Sequence, residues 1–179
     1  NRKIGKITRF PSNCDFIPSL SKYNLESQDK IIVCSVVPEL TKELINFCKI
    51  NDLDLFEINY NNTQINLLVD DPSEVGNDRI CNIIGAKKLY NSASILIDFG
   101  TATTYDVIDN KGDFIGGAIA PGIDISADYL IKNTALLKNT VYKFPKYVIG
   151  KDTTSNIQSG VMYGGLESVE GMIKLITKE

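Results

Sequence analysis

No histidine occurs in this chain of 179 residues. That excludes Ser–His and Cys–His catalysis and any imidazole metal ligand. A general base working near neutral pH must then be Asp, Glu or, less readily, Lys. Cysteine is also sparse: Cys14, Cys34, Cys48 and Cys81 stand far apart with no C-x-x-C pair. A zinc site is not expected, and the four read as reduced, mostly buried thiols. No apolar run approaches the ~20 residues of a membrane-spanning helix, and no signal peptide is visible. A cytoplasmic protein without a membrane partner is expected. The formal charge of −3 supplies no basic field for nucleic acid. Asp98-Phe99-Gly100 invites comparison with protein kinases, but the chain has no G-x-G-x-x-G, no V-A-I-K and, lacking histidine, no H-R-D. It has no G-x-x-x-x-G-K-[ST] either, which excludes a P-loop. Nor does it begin with methionine, and it ends inside a helical pattern at Lys178 and Glu179. A piece of a longer protein is expected.

The residues that are present describe a globular α/β chain. Its 43% apolar and 23% charged content is ordinary for such a protein. The length suits one medium domain or two small ones. The central stretch is residues 95–122. A short apolar strand ends at Asp98, and Gly100 and the hydroxyls of Thr101, Thr103 and Thr104 follow at once. A carboxylate at a strand end, beside a glycine turn, is suited to a phosphate and its counter-cation. Residues 104–108 and 113–120 then form a hairpin about the turn Asp109-Asn110-Lys111-Gly112.

Along the rest of the chain, strands are expected over residues 4–10, 30–37, 54–60 and 64–69. Residues 11–29 read as loop or short helix. The run 30–37 (KIIVCSVV) has the composition of a buried strand. Pro38 opens an amphipathic helix through Ile50, with Leu40, Leu44, Ile45 and Cys48 on one face. Asp71-Pro72-Ser73-Glu74 reads as a helix start with Asp71 as cap and Glu74 closing a capping box, and the helix runs to about Tyr90. Val75, Ile80, Ile83, Ile84 and Lys87 trace its inner stripe. Within it, Asp78 and Arg79 taken alone read as a solvated pair on an outer face. Further helices are expected over 124–139, with Leu130, Thr134 and Leu137 inward, and over 156–178, after a linker or short strand at 144–149 and a polar turn at 150–155. Gly160, Gly164 and Ser168 recur every four residues and form a smooth ridge, suited to a partner subunit or to another helix of the same chain. Mixed strands and helices point to an α/β architecture, divided near residues 92 and 93.

A strand ending in Asp-x-Gly-Thr and followed by a hairpin resembles the phosphate-binding device of the actin-like, sugar-kinase-like ATPase superfamily. Four ordered blocks sharpen this into a resemblance to the type III pantothenate kinase family. They are Ser35-Val36-Val37-Pro38; Asp71 through Arg79; Asp98 through Thr104 with Asp106, running on into Gly116 through Gly122; and Ile149-Gly150-Lys151-Asp152-Thr153 followed by Gly160.

The resemblance implies two ribonuclease-H-like (actin-like ATPase) domains, residues 1–92 and 93–179, the first incomplete and the second truncated at its C-terminus. It implies transfer of the ATP γ-phosphate to the primary hydroxyl of pantothenate, the first step of coenzyme A synthesis. Asp78 matches the family's catalytic base. Gly76, Asn77 and Arg79 match its pantothenate pocket, and Arg79 offers a fork suited to a carboxylate. Asp98 matches the ligand of a monovalent cation, potassium or ammonium. Gly100 and Thr101 match the ATP site. Thr153 matches a pantothenate contact completed across a dimer interface, so a homodimer is implied, and Mg²⁺ accompanies ATP. The chain departs from the family pattern in lacking the opening Asp-x-Gly-Asn-Thr loop and the C-terminal Gly-rich segment. Val69 stands where the family often has a tyrosine bordering the substrate, and Lys138 replaces a common proline. Two alternatives stay open: a non-catalytic regulatory relative on the same scaffold, and a kinase for another small hydroxylated acid.

Overall fold

The structure, a computed structural model, describes residues 5, 7, 8, 16–20, 22–134 and 140–179. Most of the strand expected over 4–10, together with Cys14, Leu137 and Lys138, lies outside the described residues. The chain folds as two compact units. One takes the described residues up to Gln64 together with 71–82; the other takes 65–70 and 83–179.

In the first unit a short helix α1 (Ile17–Leu20) precedes strand β1 (Lys30–Val33), helix α2 (Pro38–Ile50) and strand β2 (Asp54–Glu57). β1 and β2 pair in parallel, Lys30 with Asp54 through Val33 with Glu57. Parallel strands need a crossover, and α2 supplies it. Pro38 sits in the first turn of α2, where its missing N–H costs no helical bond. Thr41 and Cys48 are the buried positions of α2, while Ile45 is 38% exposed, so its inner face is rotated from the expected one. β1 is shorter and less buried than its composition predicts. Ile32 and its cross-strand partner Phe56 are 66% and 52% exposed. A two-stranded sheet covered on one side leaves alternate side chains on the other side in solvent.

The helix expected from Asp71 is broken in two. Pro72–Glu74 is a single 3₁₀ turn, and helix α3 begins only at Asn77 and runs to Tyr90. Asp71 caps as predicted, but its partner is Ser73: the Ser73 amide (2.9 Å) and hydroxyl (2.6 Å) both donate to Asp71 Oδ1. Val75 then turns extended (φ −78°, ψ 114°), which ends the turn and lets Gly76 restart the chain as a helix. The two inner residues of α3, Ile80 and Ile83, are fully buried. Asn91 closes the helix in the left-handed region (φ 47°), a conformation asparagine tolerates at a C-terminus.

The second unit is built on an antiparallel meander of β3 (Ser94–Phe99), β4 (Ala102–Ile108) and β5 (Phe114–Pro121). The hairpin turn forms where predicted, with Gly112 at φ 79°. The β4–β5 register shifts at Val107/Ile108, and Gly116 (φ 122°) sits opposite Val107. Tyr105, Ile108 and Phe114 supply the apolar core of the sheet, each 2% exposed or less. Residues 64–69 are not the strand their sequence predicts. Only Leu67 bridges to Phe114, and the backbone of Asn66 and Leu68 exchanges bonds of 3.0 and 2.8 Å with Phe114. Asp113 anchors the same corner, accepting from Asn66 Nδ2 (3.1 Å) with Lys87 Nζ 4.0 Å away.

Helix α4 (Ile123–Lys132) follows β5 directly, and α5 (Thr153–Ile176) ends the element order. Ala127 and Ile131 face inward on α4, whereas the expected inward residue Leu130 is 45% exposed. Residues 144–149 form no strand. α5 begins three residues earlier than predicted because Asp152 caps it: Asp152 accepts from the Ser155 amide at 2.9 Å, and the Ser155 hydroxyl reaches back to the Asp152 amide. α4 meets α5 at Gly165, where an added Cβ would lie 3.0 Å from Ile123 Cδ1. The ridge Gly160–Gly164–Ser168 is not used in that contact. Among the described residues, nothing beyond their own helix's backbone lies within 4 Å of a Cβ built on Gly160 or Gly164. Together with Thr103, Tyr105 and Ala127 the ridge lines an open cavity of about 590 Å³.

Candidate functional site

Two clusters carry the chemistry, one in each unit. In the first unit Gly76, Asn77, Asp78 and Arg79 form the entry and first turn of α3. The Gly76 carbonyl accepts the first helical bond, from Ile80 N–H at 3.1 Å. Asp78 folds its carboxylate back over Gly76: a Cβ there would lie 2.6 Å from Asp78 Oδ1. That same oxygen accepts from the Arg79 amide at 2.8 Å. A carboxylate in the first turn is favoured by the unpaired N–H groups and the positive end of the helix dipole. Asp78 nevertheless remains exposed. Asn77 points elsewhere: its Nδ2 donates to the Ser35 carbonyl at 2.9 Å, which ties the segment after β1 to the start of α3. The first two sequence blocks therefore meet in space. Asn77 thus has a structural partner, while the Asp78 carboxylate is the group of this turn presented to solvent.

In the second unit Asp98 lies near the end of β3 and is exposed. It stands directly opposite Thr104 on β4, so the two side chains share one face of the sheet. The Thr104 hydroxyl is buried there without a hydrogen-bond partner. Gly100 and Thr101 make the tight connection between β3 and β4. Gly100 N–H donates to the Ala102 carbonyl (3.0 Å), and the Thr101 carbonyl accepts from Gly122 N–H (3.0 Å). The tightest backbone packing of this connection is at Gly122. A Cβ at Gly100 would find its nearest neighbour at 3.6 Å; one at Gly122 would collide with the Gly100 carbonyl and lie 2.7 Å from that of Thr101. The glycine the loop cannot replace is thus contributed by the end of β5.

Thr153 is the exposed first residue of α5, held by the Asp152 cap. Hydrogen bonds from the Ser155 amide and hydroxyl hold the Asp152 carboxyl below the ordinary aspartate value. Val69 belongs to the second unit, in the irregular segment beside the start of β5, and is half-buried. The structure therefore groups Gly76, Asn77, Asp78 and Arg79 with Ser35, and Asp98, Gly100 and Thr101 with Gly122. Thr153 and Val69 sit on separate elements of the second unit.

The residues can be tested against the groups the resemblance implies. Asp98 and the unsatisfied Thr104 hydroxyl form an all-oxygen donor pair, which fits a hard monovalent cation. No cluster of three His, Cys, Asp or Glu side chains suited to a metal ion occurs among the described residues. These residues therefore do not by themselves form a divalent-metal site. Sequence reasoning noted the Thr104 hydroxyl close after Asp98 but not that the two stand directly opposite each other, which the strand register sets. It also missed Gly122 as the residue that closes the loop; the Pro-Gly pair at the end of β5 was its visible signal.

Among the described residues no helix is long and apolar enough to cross a membrane. Comparison with known proteins gives a consistent result. Residues 14–175 match the family described as type III pantothenate kinase. The chain is 39% identical over 163 residues to a type III pantothenate kinase of Desulforapulum autotrophicum, covering 88% of this chain and 62% of that protein. It is 45% identical over 117 residues to one of Rhodococcus jostii, covering 65% and 43%. The chain thus spans between two fifths and two thirds of the length of these curated relatives. Its fold is similar to that of a solved Campylobacter jejuni protein described as a Baf family transcriptional activator, with a TM-score of 0.59, 20% identity, and 87% of this chain and 68% of that one covered. A match over residues 14–175 takes in both clusters, and the chain belongs to the type III pantothenate kinase family.

Proposed function

We propose that this chain is part of an enzyme that phosphorylates pantothenate with ATP, giving 4′-phosphopantothenate in the first step of coenzyme A synthesis. The observation that carries the reading is the family match across residues 14–175, which includes an exposed carboxylate, Asp78, presented from a helix start. In this reading the Asp78 carboxylate accepts the proton of the pantothenate primary hydroxyl as the oxygen bonds to the γ-phosphorus. The bond from that phosphorus to the bridging oxygen breaks, and ADP leaves. Gly76 leaves room for the carboxylate, and Arg79 pairs with the substrate's own carboxylate. Asn77 acts mainly by holding the turn against Ser35. Gly100 and Thr101 line the ATP site, and Thr153 and Val69 border pantothenate.

Asp98 with Thr104 would hold potassium or ammonium, whose charge offsets that of the phosphates. Mg²⁺ would arrive with ATP and neutralise its oxygens. The work assigned to the protein is positioning and charge neutralisation, which phosphoryl transfer requires more than covalent chemistry. The wider architecture in this reading is two actin-like ATPase domains, residues 1–92 and 93–179, in a cytoplasmic homodimer. The ridge Gly160–Gly164–Ser168, where a Cβ on either glycine would meet no neighbouring atom within 4 Å among the described residues, supports the pairing.

The test is ATP-dependent conversion of pantothenate by the natural full-length protein with magnesium and potassium. Turnover that requires Asp78 and potassium supports the reading. A protein that binds neither ATP nor pantothenate would return it to a non-catalytic relative, and turnover of other hydroxy acids in preference to pantothenate would return it to a different kinase.

A further inference from the structure

The turn that carries Asp78 also brings together two thiols for which the proposed reaction has no use. Cys34 directly follows β1 and is exposed. Its neighbour Ser35 is tied to Asn77 by the 2.9 Å hydrogen bond already described. Cys81 lies four residues beyond Asn77, one turn further along the same face of α3. The face that meets the Cys34–Ser35 segment therefore also presents Cys81, whose sulfur is near enough to act on the Cys34 thiol. Cys81 is half-buried, whereas Cys48 is sealed inside the first unit at 2% exposure.

We propose that Cys34 and Cys81 form a dithiol site that a peroxide closes to a reversible intramolecular disulfide. The chemistry is the same whichever sulfur the peroxide reaches first. Although Cys34 as a residue is exposed, protein packed around its sulfur, then the Cys81 sulfur and finally the Asp78 carboxylate push its pKa up to about 12. One of the two cysteines, as thiolate, bonds to one peroxide oxygen, the O–O bond breaks, and the departing hydroxide takes a proton to become water. That cysteine is left as a sulfenic acid. The other sulfur then attacks it, the S–O bond breaks, and the attacking thiol's proton leaves with that hydroxide as a second water. Two thiols have lost two protons and two electrons, and one peroxide has become two waters. A thiol reductant reopens the bond by exchange. The site stands independently of whether Asp78 is a catalytic base.

The experiment uses the reduced protein, treated with hydrogen peroxide, blocked with N-ethylmaleimide and digested with trypsin. Cleavage places Cys34 alone in residues 31–42, Cys81 alone in 80–87 and Cys48 alone in 43–49. The expected product is 31–42 joined to 80–87, with both thiols lost from the maleimide label and both recovered after dithiothreitol. Cys48→Ser leaves the product unchanged, and Cys34→Ser or Cys81→Ser abolishes it. In Cys34→Ser or Cys81→Ser, dimedone should trap a sulfenic acid on the thiol that remains, and its absence from both variants would overturn the peroxide step. Maleimide on both peptides after peroxide, or a link to 43–49 instead, would overturn the proposal. The readout is a peptide mass and is independent of turnover, so an inactive protein would defeat the kinase reading and leave this one decided by its own result.

Discussion

The two clusters place a carboxylate beside a glycine by opposite means. In the first unit the crowding at Gly76 comes from a side chain, the Asp78 carboxylate folded over its Cα. In the second the crowding is backbone against backbone, with Gly122 pressed on the carbonyls of Gly100 and Thr101. A carboxylate can swing aside at little cost; a carbonyl locked into a β-connection cannot. The helix start is therefore a place where a substitution should change chemistry more than stability. The strand connection should behave the other way.

Asp78→Asn should give the largest effect. It preserves the side-chain volume and removes the proton acceptor, so kcat for pantothenate phosphorylation should fall by about 10²–10⁴-fold with the urea midpoint nearly unchanged. An unchanged kcat would remove Asp78 from the chemistry and leave the helix start as scaffold. Gly122→Ala should come next, destabilising by about 3 kcal/mol because the backbone must shift to admit the methyl. Gly100→Ala should cost under about 1 kcal/mol, having 3.6 Å of room. Equal losses in chemical denaturation would break the distinction between the two glycines. Gly76→Ala should lose several-fold in kcat while unfolding close to the wild type, since only the Asp78 carboxylate has to move. A stability loss as large as that of Gly122→Ala would mean that the turn before α3 is as rigid as the sheet.

The smallest effect concerns the cap of α5. The folded-state pKa of Asp152 is depressed, so its contribution is present above the ordinary value of 3.8 and is lost as pH falls through the folded value. Asp152→Ala should lower the urea midpoint at pH 7, and the gap from wild type should close on acidification below 3.8. A gap independent of pH would show that the carboxylate charge plays no part in the cap.

Legibility differed by element for physical reasons. α2 was readable at both ends because Pro38 and the apolar spacing agree with each other. The hairpin was readable because the turn residues and the flanking strands agree. Residues 64–69 misled because their apolar content is spent on a single bridge to Phe114 and on burying Ile65, without a continuous ladder. α3 misled at its start because Asp71 and Pro72 are equally good signals for one 3₁₀ turn, and Val75 then breaks the helix. On α4 the spacing alone allowed a neighbouring face, and contact with the sheet selected Ala127 and Ile131.

By itself the sequence determined the classes of chemistry open to this protein. Without histidine in this chain a general base is left to Asp, Glu or, less readily, Lys, and four ordered motifs carry the family resemblance that implies roles for Asp78 and Asp98. Composition and motif order need no coordinates. Only the tertiary structure decided that Ser35 anchors Asn77, that Thr104 stands opposite Asp98, that Gly122 closes the loop and that Cys34 meets Cys81. Each of these joins residues far apart along the chain or across a strand pair. Local propensity does not set such pairings; register and packing do.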